Sequence, residues 1–462
     1  MKGKLFLLVA LLVAGALLLA GCGGNGDGGD TRAPAPTNGG GTTQPAQPPA
    51  DAGSEFVAEA GIPSIVPDTL DNPHLHIIYW RGERAYQTAR AINPHIWDPV
   101  WETVALFEER FGGTVTVEFA NWNDMVQRMT ELQSANAAPD LVMVYDRVMH
   151  NMIFQGSLMP LTDLVMDEDF EFWGVGRDLM SWRGVPYAIP WKPYLTSMMF
   201  NRDLLELHGQ PMPDELFLAG EWTFEAFADI VRATTQYVDG NPVTLGFGSW
   251  AGEGLSRFLV ANGAAFIDVD TPTGTVTSGF ENQILIDTLD WIRSWGGGAQ
   301  SGWVTGDDMW GWFGAGGLAF IDGHEYGTVN AELPFAVGMV PYPRGPHSPV
   351  DVPIVVMPQG MGVPHGAQNP EGAIAFMRML NENWRDVGQR YTFNLIGEYN
   401  FNMIYNNPNA QMVYAFDKST RNVDHIFGSA INMLGDNTPG STIAETLNPE
   451  LVADIALVFG GQ

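Results

Sequence analysis

The stretch from His74 to Tyr145 constrains the fold most, because its hydrophobic period changes at regular intervals. His74-Leu75-His76-Ile77-Ile78-Tyr79-Trp80 alternates as a half-buried strand does. Val100, Val104, Phe107 and Phe111 then fall at i, i+4, i+7 and i+11, one helical face, and Gly112-Gly113 is a stop signal. Residues Thr114 to Ala120 alternate again. Asn121 or Asn123 can cap a second helix whose inner face carries Met125, Met129 and Leu132. Pro139-Asp140 opens a third strand, Leu141 to Tyr145. Strand, helix, strand, helix, strand in this order predicts a parallel sheet with helical crossovers, and hence an α/β protein.

In open parallel sheets ligands sit beyond the carboxyl ends of the strands. The three strands exit into Trp80-Arg81, into Asn121-Trp122-Asn123-Asp124 and into Tyr145-Asp146. Each exit sets an aromatic ring beside a polar or charged group. These residues either line a pocket or, for Trp80 and Trp122, cover the sheet edge. The chain has 15 tryptophans, many of them explained by core packing. Aromatic planes are also what the apolar faces of sugar rings stack on.

The N-terminus addresses the chain to a membrane. Lys2 and Lys4 precede an apolar run from Leu5 to Ala20, shorter than the roughly 20 residues a spanning helix needs. Leu19-Ala20-Gly21-Cys22 looks like a bacterial lipobox, which makes residues 1–21 a signal peptide and Cys22 the lipidated residue. Cys22 is the only cysteine, so internal disulfides and cysteine-based metal sites are excluded. Up to about residue 61 the chain is mostly Gly, Pro, Thr, Ala and Asn, a composition that cannot bury enough surface to order itself. A tether of residues 22–70 is expected.

About 400 residues remain, enough for two domains. The formal charge is −31, and the signal peptide removes two lysines and no acids from that count. So negative a chain disfavours nucleic acid and anionic lipid as partners. Gly184 to Tyr194 holds three prolines and reads as extended chain. Thr223 is placed to cap a helix, and Ile284, Thr288, Trp291 and Trp295 mark another, closed by Gly296-Gly297-Gly298.

The order of motifs resembles the family 1 extracellular solute-binding proteins, the maltose-binding-like receptors. The resemblance rests on Pro139-Asp140-Leu141-Val142, Gly156-Ser157-Leu158-Met159-Pro160-Leu161, Tyr187-Ala188-Ile189-Pro190 and Asn201-Arg202-Asp203-Leu204-Leu205. Further on it rests on Trp222-Thr223-Phe224-Glu225, Gly246-Phe247-Gly248, Gly317-Leu318-Ala319-Phe320, the run Val337 to Pro343, and Asn369-Pro370-Glu371-Gly372-Ala373. It covers residues 74 to about 385; the last 75 match poorly.

The resemblance implies a two-lobe periplasmic-binding-protein-like (type II) fold that closes on a ligand by hinge motion. The first crossing between lobes is expected near Pro190 to Phe200 and the second near Val337 to Pro343. One lobe would take residues 71–192 and 341–385, the other 193–340 and 386–462. The resemblance also implies delivery of a small polar solute to the permease subunits of an ABC importer, without saying which solute; a monomer is expected, and the aromatic and polar residues at the strand exits point to a mono- or oligosaccharide.

Candidate ligand contacts from the first lobe are Trp80, Asn121, Trp122, Tyr145 and Asp146; the crossing adds Trp191 and Tyr194. The second lobe offers Trp250, Trp310, Trp312, Glu325 and Tyr326. Tyr194 falls where such receptors often carry an acidic contact, which leaves specificity open. A peptide ligand is the alternative, with Arg81 and Asp146 as the groups to meet its termini. No Gly-Lys-Ser/Thr loop, Gly-x-Ser-x-Gly elbow or His-Glu-x-x-His appears. His74 and His76 share a strand face without a third ligand, and Asp268 to Gly274 lacks the closing glutamate of a calcium loop. No cofactor, metal site or catalytic activity is expected. A surface glycosidase or lyase, and a sensor or adhesin of the same fold, are the competing classes.

Overall fold

The computed structural model describes residues 64–80, 87, 94–121, 124–171, 177–191, 194–306, 308–324, 333–385, 398–399, 401–403, 407 and 409–460. Cys22, Trp122, Glu325 and Tyr326 lie outside the described residues.

The opening alternation folds as its periods require. Strand β1 (Leu75–Trp80), helix α1 (Pro94–Phe111), β2 (Val115–Ala120), α2 (Met125–Ser134), β3 (Leu141–Tyr145) and α3 (Asp146–Phe154) follow one another. Both β2 and β3 pair with β1 in parallel. Val100, Val104 and Phe107 are buried, as are Met125, Met129 and Leu132. Gly112 ends α1 at φ +75°, a left-handed conformation that other residues enter at a cost. Helix α2 begins on Asp124 with no side-chain cap; Asn121 instead donates from Nδ2 to Asp124 Oδ2 at 3.1 Å.

The chain continues through a small hairpin of β4 (Ser181–Trp182) and β5 (Val185–Pro186), then β6 (Ala188–Pro190) and β7 (Tyr194–Asn201). Helix α4 (Phe224–Thr234) is capped as its sequence requires, Thr223 Oγ1 accepting from Ala226 N at 3.4 Å. After it come β8 (Gln236–Val238), β9 (Asn241–Ser249), α5 (Ala251–Ala261), a hairpin of β10 (Ile267–Asp270) and β11 (Thr275–Ser278), and α6 (Gln283–Gly296). Then follow β12 (Trp303–Thr305), α7 (Asp308–Gly314), β13 (Leu318–His324), β14 (Val337–Val340), β15 (Val352–Met357) and β16 (Gln359–Gly362). Helix α8 (Pro370–Asn383), β17 (Ala410–Val413), α9 (Val423–Gly435) and α10 (Gly440–Phe459) complete the order.

Two large sheets organise these elements. The first has the order β2-β1-β3-β16-β6; the second runs β12-β9-β13-β7-β15-β17, with β14 also on β7 and β8 on β9. We call the bodies built on them lobe 1 and lobe 2. Lobe 1 packs aliphatic and methionine side chains around Ile77, Leu141, Val142, Met149 and Phe376. Lobe 2 packs rings: Phe227 meets Phe247, Phe258, Trp295 and Phe320 with centroids 5.2–5.6 Å apart, and Phe224 stacks on Trp291 at 3.8 Å. A third cluster, including Met199, Ile321 and Phe313, covers the other face of the lobe 2 sheet.

The passage of the chain between sheets differs from the sequence expectation at one point. The chain passes from the first sheet to the second between Pro190 and Tyr194. The second crossing does not lie at Val337 to Pro343. Strand β14 pairs with β7 inside lobe 2, and so does β15; the chain crosses only at Pro358, between Met357 and Gln359. Residues 341–385 are therefore divided, with Val352–Met357 in the lobe 2 sheet. An apolar strand fits either sheet equally well by its own sequence, and only its partner decides.

Candidate ligand-binding cleft

Both sheets turn their carboxyl edges toward the crossings. In lobe 1, β1, β2 and β3 run parallel and end at Trp80, Ala120 and Tyr145. Gln359, the first residue of β16, pairs with Tyr145, and Pro190, the last of β6, pairs with Gly360. In lobe 2, β9, β12 and β13 run parallel, and β13 ends where β7 begins, His324 opposite Thr196. Met357, the last residue of β15, pairs with Tyr194. The two edges that bind ligands in such sheets thus share the junction.

Of the sequence candidates, Asp146 and Trp250 stand at these edges, one buried and one exposed. Asp146 is only 5% exposed, and one of its carboxylate oxygens accepts from Arg147 N at 2.8 Å. Burial raises the pKa of its carboxyl, against the pull of the Lys418 ammonium. Trp250 follows β9 and is 39% exposed, open to stack on a flat ligand face. Asn121 is exposed beyond β2. Trp80 and Tyr194 are placed by their backbone at the end of β1 and the start of β7.

Other candidates are packing residues as placed. Tyr145 is fully buried, and burial pushes its phenol far above the usual range. Trp191 is 3% exposed, edge-on to Tyr79 at 5.6 Å and to Trp384 at 6.3 Å, and its Nε1 meets no hydrogen-bond partner. Trp310 and Trp312 are half-buried against the third cluster. Trp182, Trp222, Trp295, Trp303 and Trp384 are buried too, so most of the tryptophan surplus that can be placed serves the cores.

The structure adds charged groups that no local motif announced. Glu253, in the first turn of α5, accepts from Lys418 Nζ at 2.7 Å and from Arg257 Nη2 at 2.8 Å. Arg257 is held in turn by Asp322, on β13, and the Tyr342 hydroxyl donates to the same carboxylate at 2.6 Å. Burial opposes the Arg257 charge, but Asp322 and Glu253 outweigh it and raise its pKa. The result is a line of alternating charge from the lobe 2 interior to Lys418, whose ammonium acts on Asp146 of lobe 1. Such an array can offer carboxylate acceptors and an ammonium donor to hydroxyl groups. Among the described residues no group of three or more His, Cys, Asp or Glu side chains is arranged to hold a metal ion.

Residues 102–403 match the family described as bacterial extracellular solute-binding proteins. The chain belongs to that family. No curated protein sequence matches it. Solved structures share the fold at low identity. An ABC substrate-binding protein of Listeria monocytogenes in complex with cycloalternan is 13% identical, with TM-score 0.61 over 84% of this chain and 100% of its own. An extracellular solute-binding protein of Staphylococcus aureus in complex with maltose gives 13%, 0.61, 84% and 99% on the same measures. UgpB of Mycobacterium tuberculosis in complex with glycerophosphocholine gives 15%, 0.60, 82% and 98%. The solute-binding protein accordingly has the two-lobe, periplasmic-binding-protein-like α/β fold, and its family is extracellular.

Proposed function

We propose that this solute-binding protein is the capture subunit of an ABC importer, and that it takes a mono- or oligosaccharide into the cleft between its lobes. The observation that carries the reading is the meeting of both carboxyl sheet edges at one junction, with Asp146, Glu253 and Lys418 beside an exposed Trp250. Hydroxyl-rich ligands need paired acceptors and donors next to an apolar plane, and this set supplies them. Several solved structures of the fold hold saccharides, mannobiose, maltotetraose and tagatose among them. The role is binding without turnover, and Cys22 carries the lipid that keeps the mature chain, a monomer, on the membrane beside its permease.

A calorimetric screen with maltose, mannobiose, tagatose, glycerophosphocholine and a dipeptide tests the reading. The expected result is saccharide binding that Asp146→Asn weakens about tenfold, the scale of one charge-assisted hydrogen bond. Binding of glycerophosphocholine or the dipeptide with no saccharide bound would overturn it, and a cleaved saccharide would move the protein to the enzymes. Cys22→Ala is expected to release the protein from the membrane or block its processing; a variant retained at the mature mass would refute the anchor.

A further inference from the structure

In the segment Asp417-Lys418-Ser419-Thr420, Asp417, Ser419 and Thr420 are buried and Lys418 is half-buried, and the bonds of the segment divide between the lobes. Toward lobe 2, Asp417 accepts from Ile267 N at 3.0 Å and from the Ser256 hydroxyl, while Lys418 holds Glu253. Toward lobe 1, Ser419 Oγ donates to the Asp146 carbonyl at 3.0 Å and lies 2.9 Å from His150 Nδ1. A hydroxyl has one hydrogen. Since Ser419 gives it to Asp146, the proton shared with His150 must come from Nδ1. His150 is therefore the Nδ1–H tautomer, and its Nε2 meets no hydrogen-bond partner. Phe154, Trp182, Phe416 and Phe459 surround the imidazole with centroids 5.0–6.0 Å away. Burial among these rings lowers its pKa to about 3, so it stays neutral.

Asp146 is bonded to the second crossing and to the C-terminal segment. Its N–H donates to the Pro358 carbonyl at 3.1 Å, on the second crossing. The first crossing is tied to the second by Trp191 N to Gln359 O at 3.3 Å. Ser419 then ties the Asp146 carbonyl to the C-terminal segment. Beside it Arg147 pairs with Asp424, on α9, at 2.7 Å.

We propose that Ser419 and His150 are positioning residues that fix the β3–α3 turn against lobe 2 and so set the angle between the lobes. The chain of donors runs one way, from His150 Nδ1–H to Ser419 Oγ–H to the Asp146 carbonyl. The consequence for solute capture rests on the reading that Asp146 faces the ligand; the positioning role does not.

The test is made without solute, so a protein that binds no saccharide still decides it. The mature chain with Cys22→Ser carries spin labels at Asp163→Cys on lobe 1 and Asp229→Cys on lobe 2, and double electron–electron resonance reads the distance between them. Ser419→Ala and His150→Phe are expected to broaden the distance distribution at least about twofold as the lobes sample more orientations. His150→Asn, whose amide N–H replaces Nδ1–H, is expected to restore the narrow distribution. Asp424→Ala, which removes the exposed member of its pair with Arg147, should broaden it less. A folded Ser419→Ala with the wild-type distribution, or an His150→Phe no broader than His150→Asn, overturns the proposal. Nitrogen NMR of the unsubstituted protein decides independently of any variant's folding: Nδ1 protonated and Nε2 bare is expected, and the opposite tautomer refutes the relay.

Discussion

At the end of β3, Tyr145 is sealed in the lobe 1 core and Asp146 is tied chiefly through its backbone, to Pro358 and to Ser419. At the end of β9 the arrangement is reversed. Trp250 is open to solvent, and Glu253 is held through its side chain by two cations, Lys418 and Arg257. One edge is built on main-chain bonds around a carboxylate that keeps acceptor capacity; the other is a carboxylate already neutralised. The main-chain bonds thus concentrate at the lobe 1 edge, and the exposed aromatic plane stands at the lobe 2 edge.

The largest expected effect lies on the lobe 2 side. Arg257→Met leaves Asp322 buried with only the Tyr342 hydroxyl for support, and the loss in urea unfolding is expected at about 4 kcal/mol. A loss under about 1 kcal/mol would mean that the network of charges is not what holds α5 and β13 together. On the lobe 1 side, Tyr145→Ala is expected to cost about 3 kcal/mol by deleting a fully buried ring. Should stability hold while solute affinity collapses, Tyr145 would be a ligand contact after all.

Asp417 sharpens the comparison through pH. It is a third buried carboxylate, bonded to Ser256 and Ile267, and burial raises its pKa from 3.8 to about 6. A carboxyl that is harder to ionise in the fold weakens stability above pH 6, and the penalty disappears as pH falls toward 3.8. His150 acts in the opposite sense, since its pKa is lowered to about 3 and the unfolded chain takes up the proton first below 6.5. Comparison with Asp417→Asn cancels the histidine. Relative to wild type, the variant should gain about 2 kcal/mol between pH 4 and pH 8 in urea titrations. A pH-independent difference would show that Asp417 is not strained by burial. The smallest effect on stability is expected at Trp250→Ala, under about 0.5 kcal/mol, while saccharide affinity falls by about 1 kcal/mol in calorimetry. An unchanged affinity would remove Trp250 from the cleft.

Much of lobe 1 was legible because its signals are local. Val100, Val104 and Phe107 share a face through helical geometry alone, and β1, β2 and β3 alternate or stay apolar by themselves. The position of Asp146 at the carboxyl end of β3 was legible from the strand direction. Lys418, Ser419 and Asp424 carried no such mark. They lie more than 250 residues from Asp146 in a C-terminal region without recognisable motifs, and their role exists only once both lobes are assembled. The tryptophans misled for a related reason: composition counts rings without saying which face a core and which a cleft, and the cores of both lobes took most of those that can be placed.

By itself the sequence determined the α/β class, the helix capped by Thr223 and one carboxylate at a sheet edge, since each follows from period, spacing or chain direction within a few dozen residues. The tertiary structure alone decided that β15 joins lobe 2, that Tyr145 is sealed while Trp250 is open, and that a polar tetrapeptide near the C-terminus ties the lobes together. These depend on which distant partner a strand or side chain meets. A short apolar strand or a buried serine is compatible with many partners, and only simultaneous packing of the whole chain selects one.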